Sequence, residues 1–274
     1  MKRYLLAPVL VVAALLVMAP AASAWAPAPG AVHPGVQLIT AGAECTANFV
    51  FSDGTNTYMG QAAHCSGTGA STDTNGCTSG SLPLGTPVTI TGADHPGTLV
   101  YNSWLTMQAQ HEADSETCQF NDLALVKVDP ADVGKINPSV PGFGGPVGVA
   151  SLGGAGSTVF TYGNSELRGG IQKLSPKQGL VVQRSPGGWS TDVYTVTPGI
   201  PGDSGSGFLT DSGAAAGVLS TVAIAPLAGS NGVGDLPREI AYMHSHGGPG
   251  ANVVKGTEPF NGNLVAAIAA APVS

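Results

Sequence analysis

Gly202-Asp203-Ser204-Gly205-Ser206-Gly207 sets an aspartate and two serines among three glycines. Glycine lets the backbone take conformations closed to other residues, and it lets outside groups approach the amides closely. A serine displayed on such a turn is chemically useful only with help. Its hydroxyl is a weak nucleophile at neutral pH and needs a base within hydrogen-bond reach, oriented in turn by a third group. Working back along the chain, Gln61-Ala62-Ala63-His64-Cys65 supplies a histidine beside a cysteine that can tether it. Asn121-Asp122-Leu123-Ala124-Leu125-Val126 supplies an aspartate at the mouth of an apolar run.

Taken singly, each stretch has a plain reading: a turn, a packed histidine, the start of a strand. Together, in the order His, Asp, Ser, they resemble the chymotrypsin-like serine peptidases, especially their secreted bacterial branch. Those proteins carry Ala-His-Cys at the base, Asp-Leu-Ala-Leu or similar at the orienting acid, and Gly-Asp-Ser-Gly at the nucleophile. The resemblance implies an all-β fold of two antiparallel β-barrels with the active site between them. By the roles of that family, Ser204 attacks a scissile carbonyl, His64 moves the proton and Asp122 fixes the imidazole tautomer. The N–H groups of Gly202 and Ser204 form the oxyanion hole. The α/β-hydrolase alternative fails on two counts: Ser206 stands where Gly-x-Ser-x-Gly needs glycine, and that fold orders its triad Ser, Asp, His.

Lys2 and Arg3 precede an uncharged run from Leu5 to Met18, and Ala22-Ser23-Ala24 offers small residues for cleavage. Residues 1–24 read as a secretory signal peptide. With them removed, 8 basic residues face 17 acidic ones, a net charge of −9, which argues against nucleic acid or an anionic membrane as partner. Four cysteines, Cys45, Cys65, Cys77 and Cys118, in an exported chain imply disulfides. Of three pairings open to them, Cys45 with Cys65 and Cys77 with Cys118 is the one expected. The first is the bridge that, in the family resembled, pins the histidine loop to the preceding strand. The spacing of these cysteines does not suit zinc, and His33, His95, His111, His244 and His246 form no cluster with metal-ligand spacing. No metal or cofactor is expected.

Residues 25–35, mostly Ala, Pro and Gly, read as a flexible leader or short pro-segment. Short β-branched or aromatic runs then begin near Val36, and many short strands at close spacing point to barrels. The Pro- and Gly-rich stretch from Pro138 to Gly148 divides an N-terminal barrel, 36–140, from a C-terminal one, 141–274. Strands are expected in the second barrel at 156–162, 169–174, 180–182, 193–197, 205–209 and 215–223. Near the end, Asp235 caps a helix with Pro237 in its first turn and Leu236, Ile240 and Met243 on one face. A second helix is expected over Asn263 to Ala271.

In the family resembled, the main specificity determinant lies six residues before the nucleophile, here Pro198, and the pocket wall is a Ser-Trp-Gly run, here Ser220-Thr221-Val222. Without an acid at 198, and with valine in place of glycine at 222, the resemblance implies cleavage after small or medium apolar residues. Asp203 has no Ile-Val-Gly-Gly N-terminus to pair with, so it must accept from another backbone or basic group. The expected protein is a secreted, monomeric serine endopeptidase acting on protein or peptide. A catalytically silent binding protein on the same scaffold is the alternative.

Overall fold

The structure, a computed structural model, describes residues 25–70, 72–222 and 227–272. The expected signal peptide therefore lies outside the described residues.

The first sheet is built from β1 (Gln37–Thr40), β2 (Ala43–Thr46), β3 (Val50–Ser52), β4 (Thr57–Ala62), β5 (Pro87–Ile90), β6 (Gly97–Asn102) and β7 (Leu123–Lys127). The second comprises β8 (Thr158–Tyr162), β9 (Pro176–Arg184), β10 (Ser190–Thr195), β11 (Gly207–Thr210), β12 (Ala215–Val222) and β13 (Asn231–Asp235). These six close into a barrel in the order β10-β13-β12-β11-β8-β9. The first sheet stays open at its ends, with β2 at one edge and the two-residue β14 (Asn252–Val253) at the other. β14 pairs antiparallel with β3, so the chain returns to the first sheet after leaving the second. Every named strand pair is antiparallel, and the whole is an all-β fold of two barrels, the first open between β2 and β14 and the second closed.

The two-residue period of a strand explains how the halves join. Along β7, Ala124 and Val126 point into the first sheet's own core with Met59, Leu99 and Ile90. Leu123 and Leu125 point the other way. They meet Phe51, Tyr58 and Tyr101 and, from the second barrel, Phe160, Leu209 and Val218. The second barrel alternates likewise, since Val159, Phe208 and Ala216 fill its interior while their neighbours Phe160, Leu209 and Ala215 face the junction. Strands buried on both faces read as continuous apolar runs, and each fully buried large side chain contributes about 1.5–3 kcal/mol. The shared core therefore fixes one barrel against the other.

Several expectations need correction. Residues 25–35, expected as a flexible leader or short pro-segment, are not loose: Ala26 N donates to Ile136 O (2.8 Å), Asn137 N to Val32 O (2.9 Å), and Val32 is fully buried in the first sheet's core. The strand expected at 169–174 is instead a pair of 3₁₀ turns, Glu166–Arg168 and Gln172–Leu174. Gly169 and Gly170 lie between them at φ +62° and +78°, which bends the chain out of any ladder. Two short helices were not foreseen, α1 (Ser103–Ala109) and α2 (Ser115–Phe120), each capped by a side-chain oxygen, of Asn102 and Asp114 respectively. The C-terminal helices are present as α3 (Leu236–Ser245), capped by Asp235, and α4 (Leu264–Ala270), capped by Asn263.

Candidate active site

β4 runs buried along its whole length and ends in a tight 3₁₀ turn, Ala63–Ser66, which carries His64 to the junction of the barrels. A disulfide from Cys65 to Cys45 of β2 holds that turn, and a second joins Cys77 to Cys118. Asp122 stands just before β7. Its carbonyl accepts from Ala63 N (2.7 Å), its Oδ1 from His64 N (2.9 Å), and its Oδ2 lies 2.7 Å from His64 Nδ1. A carboxylate only accepts here, so Nδ1 carries the proton and Nε2 is left as the basic nitrogen. Ser220 Oγ donates to the same Oδ2 at 2.6 Å. The Asp122 side chain is 3% exposed and that of His64 23%. Burial opposes a charged imidazole, but the Asp122 charge and hydrogen bond outweigh it and raise the His64 pKa above its ordinary 6.5.

The nucleophile turn comes from the second barrel and is clamped to the first. Thr46 N donates to Ser204 O (2.8 Å) and Thr46 Oγ1 to Gly202 O (2.7 Å). Gly202 holds φ +94°, and a Cβ there would lie 2.9 Å from Ser165 Oγ. A Cβ on Gly205 would lie 2.6 Å from Thr46 O. Gly202 is thus dictated by its left-handed backbone and the close Ser165 side chain, and Gly205 by the close approach of the first sheet. Among the described residues the N–H groups of Gly202 and Ser204 have no acceptor, whereas Asp203 N and Gly205 N are bonded to Ile200 O and Leu219 O. Ser204 is half-buried, and its hydroxyl has no hydrogen bond to any described residue, His64 included.

Asp203, between these two amides, is fully buried. Its partners are two cations, Arg168 Nη2 and Lys177 Nζ (2.6 Å), and the N–H groups of Ser165 and Ile200 (both 3.2 Å). Burial lowers the Lys177 pKa; Asp203 pulls it back and Arg168 adds to the lowering.

His64, Ser204, Ser220, Thr221 and Val222 line one cleft of about 580 Å³ together with Trp104. Pro198 does not join them. It is exposed and outside the cleft lining, where Ile200, Pro201 and Gly202 form the wall instead. Gly199, buried and outside the cleft lining, is packed tightly behind that wall: a Cβ there would meet Asn231 Oδ1 at 2.7 Å, Leu219 Cδ2 at 3.1 Å and Val222 Cγ2 at 3.3 Å. Cys45, Cys65 and His64 bring ligand-type atoms within 4.8 Å of one another, yet both sulfurs are committed to the disulfide and offer no thiolate.

Sequence reasoning missed Glu239, a fully buried carboxylate whose Oε1 accepts from Asp122 N at 2.9 Å. Helical spacing held the signal, because Glu239 is three residues after Leu236 and four before Met243, on the buried face. It also missed Arg168 and Lys177, for which no local signal exists.

Comparison with protein families and with curated proteins finds no match. Solved structures do match. Thermobifida fusca protease A aligns over 82% of this chain and 99% of its own, with 18% identity and a TM-score of 0.54. Cellulomonas bogoriensis chymotrypsin aligns over 81% and 98%, with 17% identity and a TM-score of 0.50. At these identities the likeness is one of fold, and the fold is that of the chymotrypsin-like serine proteases.

Proposed function

We propose that this chain is a secreted serine endopeptidase working through Ser204, His64 and Asp122. The observation that carries the reading is the orientation of His64: Nδ1–H is bound to Asp122, leaving Nε2 for the cleft that Ser204 also lines. Ser204 Oγ attacks the carbonyl carbon as Nε2 takes its proton, and the imidazolium so formed is stabilised by the buried Asp122. The unpaired N–H groups of Gly202 and Ser204 receive the oxyanion, each such donor lowering the barrier by about 3–4 kcal/mol. The imidazolium then protonates the leaving amine, and water hydrolyses the acyl-enzyme by the reverse sequence. Catalytic hydrogen bonds are often long or misaligned before substrate binds, so rotation of the Ser204 side chain completes the relay.

The apolar side chains of Ile200, Leu219 and Val222 in the cleft wall support small or medium apolar residues before the cut. Export, a monomeric state and protein or peptide substrates belong to the same proposal. The unbonded Ser204 hydroxyl is what favours the second reading, a silent binding protein. A series of peptide anilides with matched esters separates these. A peptidase hydrolyses both, best after Ala or Val, and Ser204→Ala lowers kcat by roughly 10³-fold or more. Ester turnover alone marks an esterase, absence of both marks the binding protein, and a profile dominated by Arg or Lys overturns the specificity.

A further inference from the structure

The group behind Asp122 has no part in the chemistry above. Glu239 projects from α3 into the junction, fully buried, with Oε1 on the Asp122 amide and Oε2 without a partner among the described residues. The fit is close: a Cβ on Gly234 would lie 2.6 Å from Oε1. The groups whose charge acts on it are Asp122, Asp235 at the start of α3 and Tyr101 of β6. None of them is a cation. Arg184 reaches Asp235 at 3.8 Å, Arg238 lies over the Trp189 ring, and no ion pair engages Glu239 among the described residues. The Asn121 amide and the Tyr101 hydroxyl are buried there without partners as well. Among the described residues the Asp122 N–H has no acceptor other than Glu239.

We propose that Glu239 is a positioning residue for the orienting acid: it pins the backbone at Asp122 and so fixes the carboxylate against His64. This rests on the reading of His64, Asp122 and Ser204 as a catalytic set. An ionised carboxylate in that enclosure would be an unpaired charge beside two others, a state that costs far more than protonation. Burial above all, with the charges of Asp122 and Asp235 added, pushes the Glu239 pKa well up against the opposing Asp122 N–H. Glu239 thus acts as a neutral acid, with the proton on Oε2. It holds Asp122 without placing a second anion behind it.

Three variants test this: Glu239→Gln, which keeps the acceptor and the neutral state, Glu239→Met, which keeps the volume without an acceptor, and Glu239→Asp, whose oxygen falls short. Methionine should lower kcat about 10- to 100-fold at unchanged KM, and glutamine should rescue kcat to within the wild-type order of magnitude. The acid limb of the kcat/KM profile should have the same midpoint in wild type and Glu239→Gln. A midpoint that falls in Glu239→Gln would mean that an anion had been removed, and would overturn the neutral assignment. A folded Met variant with wild-type kcat would overturn the positioning role. Should Met fail to fold, the Asp variant gives the same decision. The low-field proton resonance of His64 Nδ1–H, retained with Gln and displaced with Met or Asp, reads the geometry without turnover. That signal separates failure of this proposal from failure of the peptidase reading.

Discussion

The buried carboxylates Asp203 and Glu239 are handled in opposite ways, since no cation meets Glu239 among the described residues. Asp203 is met by two cations and two backbone N–H groups, so its charge is compensated where it lies. Replacing it by asparagine leaves Arg168 and Lys177 confined without their counter-charge, a loss of roughly 3–5 kcal/mol. Urea unfolding of Asp203→Asn should show that loss, and a midpoint equal to wild type would refute the pairing as a structural support. At His64 the sign is set by a raised pKa. Stability from the imidazolium–Asp122 pair is fully present below about pH 6.5, the unfolded value, and is lost as pH rises through the folded value. Activity runs the other way, because the base must be neutral. The acid limb of kcat/KM should therefore have its midpoint above 6.5, and a midpoint below it would contradict the His64–Asp122 geometry.

At the scale of elements, the stretch around Ser220 joins two tasks on one strand. β12 supplies Val218 to the junction, Leu219 to the second barrel, a hydroxyl from Ser220 to Asp122 and the Val222 side chain to the cleft. Val222→Gly should widen the cleft at the wall that Val222 forms and improve cleavage after Leu or Phe relative to Ala by about 10- to 100-fold. An unchanged preference in a peptide-library profile would remove Val222 as a determinant. Strands such as β4 and β7 were legible because apolar side chains bury both their faces, and α3 because Asp235 and Pro237 mark its start. The turns at 166–174 were not legible. Their apolar residues Leu167, Ile171 and Leu174 are exposed, so the hydrophobic pattern pointed to a strand that the glycines forbid. α1 and α2 escaped because Asn102 and Asp114 are caps of helices only six or seven residues long, too short for periodicity to register.

For the whole molecule, the central fact is that one sheet provides His64 and Asp122 and the other provides Ser204, with a common apolar core holding them in register. The three motif stretches were readable because each is local. The partners of Asp203 were not, since Arg168 and Lys177 lie 35 and 26 residues away and are brought in by barrel closure. For Glu239 the helical spacing marked a buried face, but its partner Asp122, 117 residues away, is reached only when α3 packs against the first sheet. The packing of the segment after residue 25 was not legible because its backbone bonds to residues near 136 are invisible in a run of Ala, Pro and Gly. The most direct test of the account is labelling of the intact protein with a fluorophosphonate, followed by peptide mapping. One adduct per chain at Ser204, lost in Ser204→Ala and slowed by orders of magnitude in His64→Ala, is the predicted result. An unlabelled wild-type protein, or labelling that does not depend on His64, would contradict it.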